Sequence, residues 1–286
     1  MIIEKPIKSL TIQWELSDIC NYNYSYCFVK HSPRQDAYPS MEKILSNAKS
    51  LHNFIEYNSD TKYVVQIIGG EPSLLDLDKV LNVVNAKNIA KFRINTNLSN
   101  TAEFYTYLRS KYPIVISASF HENFCSIEDF LKKYIDLKSK GCEILCNFVM
   151  TNDNENTFKI LKTVMKDDVR VSFEFDEKKN LVVSDQIIQK YRKFCVKNLK
   201  VDSVKDLQDK YFLRSVDTTN AICHLSSIKI YPNNEMWLGT CKNCNVFLGE
   251  LGKDLFKWTG MTHVCSGSYK CGGCGLRKVE IVKGEC

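Results

Sequence analysis

The sequence predicts an α/β chain, built as a partial (β/α)6 barrel followed by a small cysteine-rich α+β domain that binds metal. Three observations predict it. Strand-like and helix-like segments alternate six times between residues 9 and 175. From residue 223 the composition shifts to short strands, glycines and cysteines. Seven of the thirteen cysteines lie beyond that point.

The expected strands are Thr11–Leu16, Tyr63–Ile68, Phe92–Thr96, Ile114–Phe120, Glu143–Met150 and Val169–Phe175. The expected helices between them are Met41–Phe54, Leu75–Val84, Ala102–Lys111, Ile127–Lys140 and Asn156–Met165. The clearest is the fourth. Ile127, Phe130, Leu131, Tyr134 and Ile135 share one face at helical spacing, with Ser126 as N-cap and Gly141 as C-cap. Strand–helix alternation implies parallel strands joined by right-handed crossovers. A closed eight-unit barrel takes about 250 residues, so six units imply a partial one. Active sites in such folds lie at the C-terminal ends of the strands. Chemistry is therefore expected just after Leu16, Ile68, Thr96, Phe120, Met150 and Phe175. Residues 1–175 form the expected barrel, 176–222 a helical bridge (Ser184–Lys197 and Val204–Phe212), and 223–286 the metal domain.

Bulk properties narrow the function classes. The formal charge of +6 is mild for 286 residues, and acids and bases are interspersed, so no nucleic-acid face is expected. The first sixteen residues carry Glu4, Lys5, Lys8 and Glu15, unlike a secretory signal, and no run reaches the ~18 apolar residues that span a bilayer. The expectation is a soluble, cytoplasmic protein without a membrane partner. In reducing cytosol clustered thiols bind metal more often than they form disulfides, and an odd count argues against a closed disulfide framework. Cys125, Cys142, Cys146 and Cys195 are scattered and read as small buried apolar residues.

The loop after the first strand reads Cys20-Asn21-Tyr22-Asn23-Tyr24-Ser25-Tyr26-Cys27-Phe28. Two soft thiolates on one loop suit an iron–sulfur cluster. Gly69-Gly70-Glu71-Pro72 follows the second strand directly; glycines there let the backbone approach a ligand, and Glu71 brings a carboxylate to the catalytic end of the sheet.

Together the two motifs resemble the radical S-adenosylmethionine (SAM) superfamily, whose signature is C-x3-C-x2-C after the first strand and a G-G-E-P type turn after the second. The frame here is Cys20-x3-Tyr24-x2-Cys27, with Tyr24 in the place of the middle cysteine. The resemblance covers residues 9–175, and 223–286 for the tail. It implies a [4Fe–4S] cluster whose open iron binds SAM, and cleavage of SAM to a 5′-deoxyadenosyl radical that abstracts hydrogen from substrate. By position it makes Cys20 and Cys27 cluster ligands, with Tyr24 completing the catalytic frame. Tyr26 and Phe28 would flank the adenine; Gly69, Gly70, Glu71 and Pro72 would receive the methionine amino group; Thr96 and Asn97 would line the SAM pocket. Ser117, Ser119 and His121 are weaker candidates for ribose or substrate contact. A phenol is harder and longer than a thiol and ionises at higher pH. Three readings of Tyr24 stand open: an oxygen or external third ligand, a SAM- or peptide-binding relative without the cluster, or an isolated substitution in a competent lineage.

The tail carries Cys223, Cys241-x2-Cys244, Cys265-x5-Cys271-x2-Cys274 and Cys286, with a strand–turn–strand over Ile228–Trp237 between the first two groups. Thiols at this density point to metal. The arrangement resembles the SPASM/twitch auxiliary-cluster domain of peptide-modifying radical SAM enzymes, which implies one or two further [4Fe–4S] clusters. Zinc is the rival reading, because Cys241-x2-Cys244 with Cys271-x2-Cys274 is able to form a tetrahedral thiolate site. The resemblance implies modification of a peptide or protein side chain and an electron donor such as flavodoxin or ferredoxin. The alternatives are a non-catalytic SAM- or peptide-binding protein and a zinc-stabilised binding protein.

Overall fold

The computed structural model describes residues 9–24, 26–27, 38–174, 182–191, 194, 222–225, 227–238, 246–258, 261–264 and 279–280. Six strands form in the expected order: β1 (Ser9–Glu15), β2 (Lys62–Ile68), β3 (Ile89–Thr96), β4 (Ile114–Phe120), β5 (Ile144–Met150) and β6 (Val169–Phe173). Every neighbouring pair among them is parallel. Helices α1 (Met41–Tyr57), α2 (Leu77–Val84), α3 (Ala102–Lys111), α4 (Ile127–Ser139) and α5 (Glu155–Met165) connect them. The α/β class is thus as the periodicity predicts.

Local signals set the helix ends. The Ser126 hydroxyl accepts from the Asp129 amide at 3.1 Å, and Gly141 takes φ +76° just past α4. Ser40 and Thr101 cap α1 and α3 in the same way. The second helix begins two residues later than its apolar pattern suggests. Pro72–Leu74 form a 3-10 turn first, and Asp76 then caps α2.

The pleat sorts the strands onto two faces. On β1, Leu10, Ile12 and Trp14 are fully buried with Leu51, Phe54 and Leu81 of the helices. Thr11, Gln13 and Glu15 point the other way. The same alternation puts Tyr63, Val65 and Ile67 against helices on β2, and leaves Gln66 and Ile68 opposite them. One face is the hydrophobic core, and the other is a polar surface that the site uses.

Past residue 222 the chain forms β7 (Ile222–Leu225), β8 (Ser227–Ile230), β9 (Glu235–Leu238), β10 (Phe247–Glu250), β11 (Met261–Val264) and β12 (Val279–Glu280). Strand β8 pairs in parallel with β1, so the hairpin of the tail extends the barrel sheet to the order β10-β9-β8-β1-β2-β3-β4-β5-β6. Strands β11, β7 and β12 make a separate three-stranded sheet, in which Cys223 aligns with His263 and Val279. Within the expected bridge, α6 spans Asp185–Tyr191, and Val204–Phe212 lies outside the described residues. So do Phe28, Cys195, Cys241, Cys244, Cys265, Cys271, Cys274 and Cys286.

Candidate SAM-binding site

The loops after β1 and β2 are laced together. The Gly70 amide donates to the Ser17 carbonyl at 2.8 Å, and the Glu71 amide to the Ile19 carbonyl at 2.7 Å. The two glycines make this approach possible. A Cβ at Gly69, where φ is +135°, would stand 2.3 Å from the Ser17 carbonyl oxygen; one at Gly70 would stand 2.1 Å from that of Ile19. The close neighbour that requires glycine here is therefore the loop bearing Cys20.

Glu71 is buried and its carboxylate is engaged on both oxygens. Oε1 accepts from the Ser73 amide at 2.9 Å and from the Thr96 hydroxyl at 2.7 Å, and Oε2 accepts from the Asn97 amide. Tyr105 hydrogen-bonds Thr96 in turn at 2.7 Å, and Asn97 donates through Nδ2 to Asn21 Oδ1 at 2.9 Å. Glu71 thus clamps the end of β2 to the end of β3 and, through Asn97, to the cysteine loop. Pro72 starts the 3-10 turn behind it.

A cavity of about 330 Å³ opens where these loops meet, at the C-terminal ends of β1 to β4. Cys20, Tyr24, Gly69, Gly70, Glu71, Thr96, Asn97, Ser119 and His121 all line it. Its floor is the polar pleat face: Gln13 and Glu15 of β1, Gln66 of β2 and Asn95 of β3, with Gln66 donating to Asn95 at 3.2 Å. Ser117 lies outside the lining, its hydroxyl accepting from Asn147 at 2.8 Å. The cavity is concave, polar at the floor and flanked by loops, as small-molecule sites are.

Around Tyr24 the thiol loop meets the loop after β4. The Tyr24 ring stacks on His121, centroids 4.1 Å apart and planes 18° from parallel, and lies 4.7 Å from Tyr26. Tyr26 and His121 share a hydrogen bond of 3.1 Å between the phenol oxygen and Nδ1. Tyr22 stacks on Phe124 at 4.8 Å. Burial holds the Tyr24 phenol neutral, far above its ordinary range, and the nearby Cys27 and Cys20 thiols act in the same direction. Burial also raises Tyr22 and Tyr26 to about 12 and lowers His121 to about 4. Cys20 is exposed at the cavity and Cys27 is buried.

The donor chemistry can be set against an iron–sulfur cluster. Cys20 and Cys27 flank Tyr24 in sequence; Cys20 lines the cavity, whereas Cys27 is buried and outside its lining. Between them stands a neutral phenol, which binds iron far more weakly than thiolate. Among the described residues no three His, Cys, Asp or Glu side chains converge on a single metal ion.

One feature of the site escaped the motif reading. Lys229 of β8 pairs with Glu15 of β1 at 3.0 Å, with side chains only 3% and 1% exposed. The signal was present as a lysine between Ile228 and Ile230 in a strand pattern. Its partner lies more than two hundred residues away in sequence, beyond any motif.

No protein-family model matches the sequence. A curated S-adenosylmethionine-dependent nucleotide dehydratase of Fibrobacter sp. (strain UWH6) is 30% identical over 92 residues, which are 31% of this chain and 27% of that protein. Streptococcus suis SuiB bound to S-adenosylmethionine superposes with a TM-score of 0.55 at 16% identity, over 80% of this chain and 59% of SuiB. SuiB has also been solved with its precursor peptide SuiA. The enzyme anSMEcpe with bound AdoMet and the Kp18Cys peptide superposes with a TM-score of 0.58 at 16% identity, over 88% of this chain and 80% of that one. The chain thus spans about a quarter of the dehydratase and three-fifths of SuiB. The parallel sheet, the laced loops and these superpositions lead to one conclusion: the chain has the fold of the radical SAM enzymes.

Proposed function

We propose that this chain binds S-adenosylmethionine in the cavity beside Gly69–Glu71 and works as a radical SAM enzyme on a peptide or protein side chain. The observation that carries the reading is the lacing of the Cys20 loop to the Gly69-Gly70 turn over a polar cavity at the strand ends. The peptides bound to SuiB and anSMEcpe support the substrate class.

In this reading Cys20 and Cys27 hold a [4Fe–4S] cluster whose third protein corner is not sulfur. Held there, a reduced cluster would supply the electron for cleavage of the SAM sulfonium. The chain's own residues bind and orient. Backbone at Gly69 and Gly70 receives the methionine amino group, Asn97 and Ser119 offer hydrogen bonds to the nucleoside, and the Glu71 clamp keeps the loops in register. The tail cysteines hold auxiliary iron–sulfur clusters in a SPASM/twitch-like domain over 223–286, with zinc as the rival metal. A flavodoxin or ferredoxin supplies electrons in the cytoplasm.

The test is anaerobic incubation of reconstituted protein with SAM and dithionite. Formation of 5′-deoxyadenosine supports the reading. Its complete absence, with iron and sulfide fully loaded, rules it out. A second reading is a SAM- or peptide-binding relative without radical chemistry. The neutral, stacked Tyr24 favours it, and SAM binding without iron at Cys20 is its signature.

A further inference from the structure

The polar face of the sheet carries a cation that the reading above leaves unused. In register across four strands stand Lys229, Gln13, Gln66 and Arg93. Gln13 and Gln66 form the cavity floor, as does Asn95, two residues beyond Arg93 on the same face of β3. Arg93 therefore stands level with Gln13 and Gln66 on that face, at the edge of the floor and just outside the cavity lining. At the other end of the row Lys229 has the Glu15 carboxylate at 3.0 Å. Arg93 has no such counter-charge: among the described residues no carboxylate pairs with it, and its Nε is buried without a hydrogen-bond partner. The other carboxylate at the cavity is committed, since Glu71 accepts from Ser73, Thr96 and Asn97.

A guanidinium cannot shed its charge at any pH the fold survives. A strand position facing a half-enclosed polar interior is an unfavourable place for an uncompensated one, and an unmade hydrogen bond on a charged group is among the more expensive defects in a fold. The planar fork matches the two oxygens of a carboxylate or phosphate. The carboxamides beside it add neutral hydrogen bonds and no competing anion.

We propose that Arg93 is the oxyanion-recognition residue of the substrate site, so that the group reaching the barrel floor carries a carboxylate or a phosphate. This deepens the functional reading above and rests on its use of the cavity for substrate. The carboxylate would come from an acidic residue of a peptide, and the phosphate from a nucleotide, as in the dehydratase relative. Basic side chains would be excluded by like charge.

Calorimetric titration of the full chain tests this with paired probes: a glutamate-containing hexapeptide against its glutamine counterpart, and a nucleoside triphosphate against its nucleoside. The expected result is that wild type prefers one oxyanion probe over its neutral counterpart by about tenfold or more. Arg93→Gln removes the preference, Arg93→Lys keeps part of it, and SAM affinity is unchanged in both. The melting temperature of Arg93→Gln stays level or rises, because an unpaired charge leaves the interior. The arm that responds identifies the source of the oxyanion. An unaltered preference in Arg93→Gln, or no preference in wild type for either pair, overturns the proposal. If SAM fails to bind wild type while the oxyanion preference and its loss in Arg93→Gln persist, the radical SAM reading fails and the anion site stands.

Discussion

Tyr24 lies face to face on His121, with 4.1 Å between ring centroids. The contact joins the loop after β1 to the loop after β4 and sets an aromatic ring between Cys20 and Cys27. The residue that departs from the cysteine pattern is therefore integrated into the packing of the site: it is stacked and half-buried, and its carbonyl accepts from the Cys27 amide at 3.3 Å. Two opposite consequences of replacing it follow, one for metal and one for stability.

Tyr24→Cys supplies the missing soft ligand at the right position in the frame. Iron and sulfide per chain after anaerobic reconstitution should rise severalfold, with a matching gain in SAM cleavage. The lost stack should lower stability by about 1 kcal/mol, read as a fall in melting temperature of the metal-free protein. An unchanged iron content would mean that Cys20, Cys27 and the new thiol do not face one cluster.

His121 links the same contact to pH. Burial lowers its folded-state pKa from 6.5 to about 4, so as pH falls the unfolded chain takes up the proton first. The metal-free protein should be most stable above the unfolded value and lose up to about 3 kcal/mol as the pH drops toward the folded one. His121→Gln cannot titrate in this range, so its denaturation midpoint should vary much less between about pH 7 and about pH 5. Parallel pH profiles for the two proteins would assign the loss to other groups.

The repeating layer of this fold was legible because it is local. Alternating apolar residues in Ile114–Phe120 and the Ser126/Gly141 signals bracket their elements almost to the residue. What periodicity could not reveal is pairing between distant segments. Ile228–Ile230 reads as one arm of a tail hairpin, yet it pairs with β1, because that edge of the sheet offers unsatisfied backbone groups beside an apolar face. Cys20, Tyr24, Gly69, Gly70, Glu71, Thr96, Asn97 and Ser119 come together as the motif order suggested, since parallel strands deliver their C-terminal ends to one rim. The reason for Gly69 and Gly70 was not legible, because it depends on how near another loop passes.

Gly70 tests that reason. The three atoms nearest to a Cβ there are all backbone: the Ile19 carbonyl oxygen at 2.1 Å and carbon at 2.6 Å, and the Asp18 carbonyl oxygen at 2.7 Å. No rotamer change relieves the clash, so Gly70→Ala should cost about 3 kcal/mol or more and push the Cys20 loop outward. SAM affinity, measured by calorimetry, should fall with it. Gly141→Ala is the control. Its Cβ meets nothing within 4 Å, so only the φ of +76° opposes it, by about 1 kcal/mol, with SAM binding intact. Equal effects of the two substitutions on SAM affinity would refute the loop-contact argument.

The Glu15–Lys229 pair gives the sharpest energetic test, because its two members come from the two ends of the chain. Both side chains are almost wholly excluded from water, so each was stripped of hydration and each has the other's charge at 3.0 Å. Removing one charge takes that counter-charge from a buried ionic group. Lys229→Met and Glu15→Gln should each destabilise by about 3–5 kcal/mol. The double variant removes both charges of the pair and should recover most of that loss, so a double-mutant cycle in urea should show strong coupling. The fold alone would then tolerate an apolar or neutral pair at this position, and any loss of SAM or substrate affinity in the stable double variant would measure what the ion pair contributes at the cavity floor. Additive losses in the cycle would show that the two side chains are independently solvated and that β8 does not bring its lysine to Glu15.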